Sequence, residues 1–172
     1  MTAPSSPPPG IRVVVIMGVS GAGKSTLGRA LARAAGWAFE DADDYHAPAA
    51  LAKMGRGEGL TDADRAPWLR RLAGLVAQRA AHGPPTVLAC SALKGAYREA
   101  LGTGRPAVAV VWLDVPAGVL RERLEGRHGH AVGPDLLPSQ LATLEPPTEA
   151  LRLDGARPVG ALVEAVRQHV GA

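Results

Sequence analysis

Gly18-Val19-Ser20-Gly21-Ala22-Gly23-Lys24-Ser25 matches the spacing G-x-x-x-x-G-K-[ST], and Thr26 follows it. In that pattern the glycines let backbone N–H groups turn inward around a polyphosphate, and the start of the next helix adds partial positive charge there. Lys24 is placed to reach the β- and γ-phosphates, and the Ser25 hydroxyl to ligate Mg2+. Asp41 and Asp43 stand two residues apart in the run Asp41-Ala42-Asp43-Asp44-Tyr45-His46, so an extended chain puts them on one face. One can hold a hydrated Mg2+; the other can accept the proton of a hydroxyl attacking the γ-phosphate. The bland alternative is a solvated acidic turn. Arg123 and Arg127 lie four apart on one helix face ahead of a glycine-containing loop, where they can close over phosphates. With Glu122 and Glu125 beside them they can equally form a salt-bridged surface. His130 is a lone loop histidine, which by itself reads as a surface residue.

The elements needed to position these groups are present. The β-branched run Ile11 to Met17 predicts a buried parallel strand, and Leu27, Ala30, Leu31 and Ala34 predict the apolar face of a helix ended by Gly36. Trp37 to Glu40 is expected as a second strand, leading into the acidic turn at its C-terminal end, where open α/β sheets bind ligands. A short helix is expected over 49–54, then a glycine-rich loop. A longer helix, capped by Thr61 or Asp64, should run to His82 with Pro67 near its first turn. Thr86 to Cys90 predicts the third strand, with a helix opening at Ser91 and running to Leu101. Ala107 to Leu113 is the fourth strand. Asp114 imitates a metal-holding aspartate but reads as a strand-end residue with helix-capping potential. Helices are expected over 117–127 and 136–144, a fifth strand over 150–154, and a last helix from about Pro158. Strands alternating with helices imply an α/β fold with helices on both faces of a parallel sheet.

The 172 residues suggest one domain with a sizeable core, spanning 11–172 behind a disordered proline-rich tail at 1–10. Hydrophobic content of 47% and charged content of 20% are globular values. The net charge is only +3, and no basic cluster is interleaved with aromatics, so nucleic acid is not an expected partner. Cys90 is the only cysteine, which excludes an intrachain disulfide and fits a reducing cytoplasm. No apolar run reaches membrane-spanning length and no secretory signal is evident, so no membrane association is expected. Lysine occurs only at 24, 53 and 94, and asparagine not at all. A chain that otherwise uses arginine has kept three compact ammonium groups.

With these residues in place, the chain resembles the gluconokinases, P-loop sugar-acid kinases related to shikimate and adenylate kinases. The likeness runs from Val14 to Pro147. It rests on the phosphate loop, on Asp41-Ala42-Asp43 with His46, on Lys53-Met54, and on Asp62-Ala63-Asp64-Arg65-Ala66-Pro67-Trp68-Leu69. Cys90-Ser91-Ala92-Leu93-Lys94 with Tyr97-Arg98, Arg123 with Arg127, Gly129-His130, and Ser139-Gln140 complete it. The resemblance implies a three-layer α/β/α fold with five strands in the order 2-3-1-4-5. It implies ATP- and Mg2+-dependent transfer to the 6-hydroxyl of D-gluconate by a homodimer. Gly18 to Thr26, Arg123 and Arg127 would bind the nucleotide, with Lys24 and Arg127 assisting transfer, Ser25 and Asp41 on the metal, and Asp43 as base. Asp43, His46, Lys53, Arg65, Ser91, Lys94, Arg98 and His130 would meet the acceptor, and Trp68 would be a packing wall. Residues 45–82 would cover the acceptor, and 127–140 would form a lid. Ala50 stands where the family commonly has asparagine, Gly102 where it has arginine, and Ala131 where it has an aromatic.

Three other readings compete. A regulatory GTPase needs an N-K-x-D motif, which is impossible without asparagine. A shikimate-kinase-like enzyme would share the loop and the paired acids, but the triple-glycine loop expected after the third strand is missing. A nucleotide sensor would need neither a carboxylate base nor an acceptor pocket.

Overall fold

The computed structural model describes residues 10–126 and 137–172. Arg127, His130, Ala131 and most of the expected lid and tail lie outside them. The first strand, β1 (Val13–Met17), is buried along its whole length. Its side chains alternate between faces: Val14 and Ile16 join one core cluster, and Val13, Val15 and Met17 the other. A strand covered on both sides has no need of polar residues, which is why the run reads as unbroken Val, Ile and Met.

The other strands are β2 (Ala38–Asp41), β3 (Thr86–Ala89), β4 (Val108–Asp114) and β5 (Leu151–Asp154). All pair in parallel, in the order β2-β3-β1-β4-β5. Helices α1 (Lys24–Ala35), α5 (Ala117–Glu125) and α7 (Val159–Val170) bring Leu27, Leu31, Leu120, Leu124, Leu162 and Val166 to the first cluster. Helices α3 (Asp62–Ala81) and α4 (Gly95–Leu101) bring Trp68, Leu72, Val76 and Leu101 to the second. The result is three layers, as the resemblance implied. Short helices α2 (Pro48–Gly55) and α6 (Leu137–Thr143) flank the open edge.

Four local expectations need correction. The buried stripe of α1 is Leu27, Gly28, Leu31 and Ala32, so Ala34 faces solvent. Thr61 wins the cap of α3 through a capping box. Its hydroxyl accepts from the Asp64 N–H at 3.1 Å, and the Asp64 carboxylate accepts from the Thr61 N–H at 2.8 Å. Pro67 therefore sits inside the helix, where its ring removes the bond to the Ala63 carbonyl. No helix opens at Ser91: α4 starts at Gly95, because Ala92 adopts φ 45°, a left-handed conformation that breaks helical continuity. Asp114 caps nothing; Pro116 precedes α5, and the Asp114 carboxylate pairs with Arg152 on β5.

Two departures from the family pattern fit their surroundings. Gly102 ends α4 with φ 82°, which disfavours a side chain such as arginine. Ala50 is a buried residue of α2.

Candidate active site

β1, β3 and β2 are neighbours in register, Ile16 beside Ala89 and Ala89 beside Asp41. Their C-terminal ends therefore bring together the glycine loop after β1, Asp41 at the end of β2, and Ser91 just beyond β3. A cleft of about 590 Å3 opens there. It is the edge at which parallel α/β sheets present ligand sites.

The glycine loop needs its glycines. Gly21 and Gly23 have φ 86° and 96°, which side chains rarely adopt, and a Cβ at Gly21 would stand 3.2 Å from Leu124 Cγ. Val19 and Ala22 are buried beneath the loop, and the Gly18 N–H donates to the Ser91 carbonyl at 3.3 Å. These three form its base, while Ser20, Gly21, Gly23, Lys24, Ser25 and Thr26 line the cleft. Lys24 Nζ donates to the Val19 carbonyl at 3.0 Å, folded back along the loop.

Arg123 departs from the expectation that it closes over phosphates. Its Nη1 donates to the carbonyls of Gly21 at 3.0 Å and Ala22 at 3.3 Å, and its Nη2 to Gly155 at 2.9 Å. The guanidinium thus ties the loop to the end of β5. It lines a second cavity of about 160 Å3, with Gly155, Arg157 and Val159, which shares Gly21, Gly23 and Thr26 with the main cleft.

The paired acids divide their work. Asp41 Oδ2 accepts from Ser25 Oγ at 2.9 Å, and its Oδ1 accepts from the Asp43 N–H at 3.0 Å, capping a 3-10 turn over Ala42–Tyr45. Ser25 and Asp41 thus present hard oxygen donors beside the loop. Among the described residues there is no group of three or more His, Cys, Asp or Glu that could cage a metal. Two protein oxygens completed by phosphate and water suit Mg2+, which dehydrates reluctantly. Asp43 turns into the cleft, and its carboxyl is held above the ordinary value of 3.8. Protein surrounding the cleft floor contributes most, then Asp41, with Lys24 opposing. The side chain is itself 78% accessible, so its desolvation is partial and the like charge of Asp41 matters.

His46 lines the cleft beside Asp43. Its ring stacks on Trp68, centroids 4.4 Å apart and nearly parallel, and its Nε2 lies 3.8 Å from Asp43 Oδ1. Burial, reinforced by the Arg65 charge, lowers its pKa to about 4, so the ring is neutral. Its buried Nδ1 has no hydrogen-bond partner. Trp68 is the packing wall expected of it: it is buried, and its indole N–H donates to the Ala42 carbonyl at 2.6 Å.

Arg65 and Ser91 also line the cleft, as expected, whereas Lys53, Lys94 and Arg98 do not. Lys53 Nζ donates to Asp64 at 2.7 Å and so joins α2 to the first turn of α3. That bond is the main reason the Asp64 carboxyl falls to about 2. Lys94 Nζ lies 5.5 Å over the Tyr97 ring. Arg98 Nη1 donates to the carbonyls of Ala92 at 2.7 Å and Leu93 at 3.2 Å, and its Nη2 to Glu145 at 2.9 Å. It holds the left-handed residue in place rather than lining the cleft. Cys90 is inert, its thiol pushed up to about 12 by burial.

Three cleft contributions escaped the sequence reading. Gln140 on α6 accepts from the Ser20 N–H at 2.7 Å and donates to Ser20 Oγ at 3.2 Å. Tyr97 reaches the cleft from α4. Leu51, Met54 and Leu60 give the covering segment an apolar rim. Gln140, Tyr97 and Met54 lie in stretches that carry the family resemblance, which is the available signal.

Comparison with known proteins agrees with this geometry. Residues 13–147 match the family described as "AAA domain". The gluconokinase of Gluconobacter oxydans (strain 621H) is 42% identical over 161 residues, 92% of this chain and 90% of that protein. A sugar kinase from Janibacter sp. HTCC2649, solved unliganded, superposes with TM-score 0.83 and 45% identity over 92% of this chain and 93% of its own. A gluconokinase from Sinorhizobium meliloti 1021 superposes with TM-score 0.79 and 40% identity, over 95% and 92%.

Proposed function

The chain belongs to the gluconokinase family, and on that premise we propose that it transfers the γ-phosphate of ATP to the 6-hydroxyl of D-gluconate, giving 6-phospho-D-gluconate and ADP. One observation carries this: a phosphate loop, a Ser25–Asp41 pair, a carboxylate at Asp43 and a cation at Arg65 all converge on a single cleft.

ATP lies with its phosphates along the loop amides, and Lys24 turns from the Val19 carbonyl to neutralise them. Ser25 and Asp41 would hold Mg2+, which when bound offsets charge on the β- and γ-phosphates. The second cavity, beside Arg123 and Arg157, suits the adenine. Asp43 accepts the proton of the 6-hydroxyl as that oxygen bonds to the γ-phosphorus. The bond from phosphorus to the β-phosphate oxygen breaks, and ADP leaves with its electron pair. A raised carboxyl pKa suits Asp43 to that role, while Asp41 is engaged by Ser25. Arg65, Ser91 and His46 meet the polyol anion, and residues 45–82 cover it. Roles for Arg127 on phosphate and His130 on the acceptor rest on resemblance alone.

A cytoplasmic homodimer completes the proposal, supported by the resemblance and by a lone, buried cysteine. No described helix is long and apolar enough to cross a membrane. The deciding experiment is a coupled ADP-release assay over gluconate, other sugar acids, neutral sugars, shikimate and nucleotides. Preferred turnover of gluconate supports the proposal. Equal or absent activity toward gluconate rejects the acceptor and leaves the phosphate loop unaffected, and preference for shikimate favours the shikimate-kinase-like alternative.

A further inference from the structure

Arg65 is the cation of the acceptor side, yet an acidic residue sits one helical turn from it. Asp62 Oδ1 lies 3.7 Å from Arg65 Nη1, a long ion pair whose tightening would draw the guanidinium toward Asp62 and away from the cleft it lines. A third group bridges the two and holds that pair long. The Tyr97 hydroxyl donates to that same Asp62 oxygen at 2.8 Å and accepts from Arg65 Nη1 at 3.0 Å. The phenol comes from α4, is largely buried, and carries Arg65 at 5.3 Å and Lys94 at 5.5 Å from its ring centre. It is therefore a rigid post, while Asp62 is 77% accessible and held mainly by this bond.

Resting on the gluconokinase reading, we infer that Tyr97 is a positioning and specificity-determining residue: its hydroxyl occupies Asp62 and thereby keeps Arg65 turned into the cleft for the substrate carboxylate. An anionic acceptor gains a charge-assisted partner that is already aimed. A neutral polyol gains little from the same guanidinium. The bridge thus acts on discrimination between acid and alcohol rather than on the chemical step. Asp43, the loop and the Ser25–Asp41 pair make none of these contacts.

The test uses the full chain at saturating ATP, with D-gluconate and with D-glucitol, which keeps the hydroxyl chain but lacks the carboxylate. Tyr97→Phe retains the ring and removes the hydroxyl. KM for gluconate is expected to rise about ten-fold, with kcat falling less than about three-fold and KM for ATP unmoved. The gluconate-to-glucitol ratio of kcat/KM should fall by a similar factor. Asp62→Asn removes the competing charge at an exposed position, so alone it should leave KM for gluconate unchanged or lower. In Tyr97→Phe/Asp62→Asn, Arg65 has lost its alternative partner, and KM should recover most of the way. An unchanged KM in Tyr97→Phe, equal losses on both substrates, a raised KM in Asp62→Asn, or no recovery in the double variant overturns the inference. Should Tyr97→Phe fail to fold, Asp62→Asn still decides. A wild-type enzyme that ignores gluconate removes the functional reading and the inference with it; a wild-type enzyme that uses gluconate while the variants behave otherwise removes the inference alone.

Discussion

Acidification should destabilise this protein through His46, and by an amount the structure fixes. The ring is buried against Trp68, near the Arg65 charge, and its pKa falls from the ordinary 6.5 to about 4. Asp43 at 3.8 Å pulls the other way, but its own carboxyl is raised and loses charge as the pH falls. In the unfolded chain His46 binds a proton below about pH 6.5, while the folded chain refuses one until about pH 4. The unfolded state therefore holds more protons in that window, and stability falls with pH across it. Integrating between the two pKa values gives a loss of about 2 kcal/mol from pH 7 to pH 5. For a domain of this size that is roughly 4–8 °C in Tm. Asp43 contributes with opposite sign, because a raised folded pKa favours the folded state as protons bind. Comparison with His46→Gln removes that contribution, since both proteins carry Asp43. Thermal unfolding by circular dichroism should show the wild-type Tm dropping about 4–8 °C more than the variant's over this range. The His46 ring proton resonances of the wild type should not titrate above pH 5. Parallel Tm curves, or an ordinary titration near 6.5, would show that the ring is not held neutral by its surroundings.

Three further outcomes follow from the site. Asp43→Asn should lower kcat by about 10^2- to 10^4-fold while ATP affinity changes little, measured by steady-state turnover and by nucleotide titration. A comparable loss of ATP binding would mean that Asp43 serves the nucleotide. Arg123→Ala removes a charge-assisted tie to three carbonyls, so Tm should fall by several degrees for about 1.5–3 kcal/mol, with KM for ATP rising as the loop loosens. An unchanged Tm with a raised KM would instead make Arg123 a direct phosphate ligand. Gln140→Ala leaves the Ser20 N–H without its partner, and kcat/KM for ATP should drop roughly three- to ten-fold. A normal value would confine Gln140 to holding α6.

The path from sequence to site was open where the determinants are local. The buried run Val13 to Met17 and the glycine spacing each depend on neighbours along the chain, whereas Asp43 leaves the extended path expected of it for a 3-10 turn that Asp41 caps. Strand order came from the family likeness, since periodicity carries no pairing information. What could not be read was partner choice. Arg98 has the charge and position of a substrate ligand, but the left-handed Ala92 leaves carbonyls that only a planar guanidinium can collect together. Lys53 and Lys94 were kept as ammonium groups in family motifs. One closes on the carboxylate that also caps α3, and the other sits on an aromatic face. Arg123 is in the expected helix, but the carbonyls of the phosphate loop and of Gly155 take its guanidinium.

These diversions leave a sparse and asymmetric set of charges in the cleft. Lys53 neutralises Asp64, Asp62 is held by Tyr97, and Arg98 and Arg123 are spent on backbone. Of the other charges on the cleft wall, Arg29 lies over Phe39 and Glu58 pairs with Arg56, which leaves Lys24 on the glycine loop, Arg65 on α3, and Asp41 with Asp43 at the end of β2. Two anions entering such a cleft are each drawn to a separate cation. The intervening acids would repel both, unless one acid is shared with a metal and the other is ready to take a proton. The raised pKa of Asp43 and the hydroxyl already bonded to Asp41 are the two features that make this arrangement workable. Moving Asp41 one residue along β2 would turn it to the opposite face of the sheet, part it from Ser25 and uncap the turn that carries Asp43.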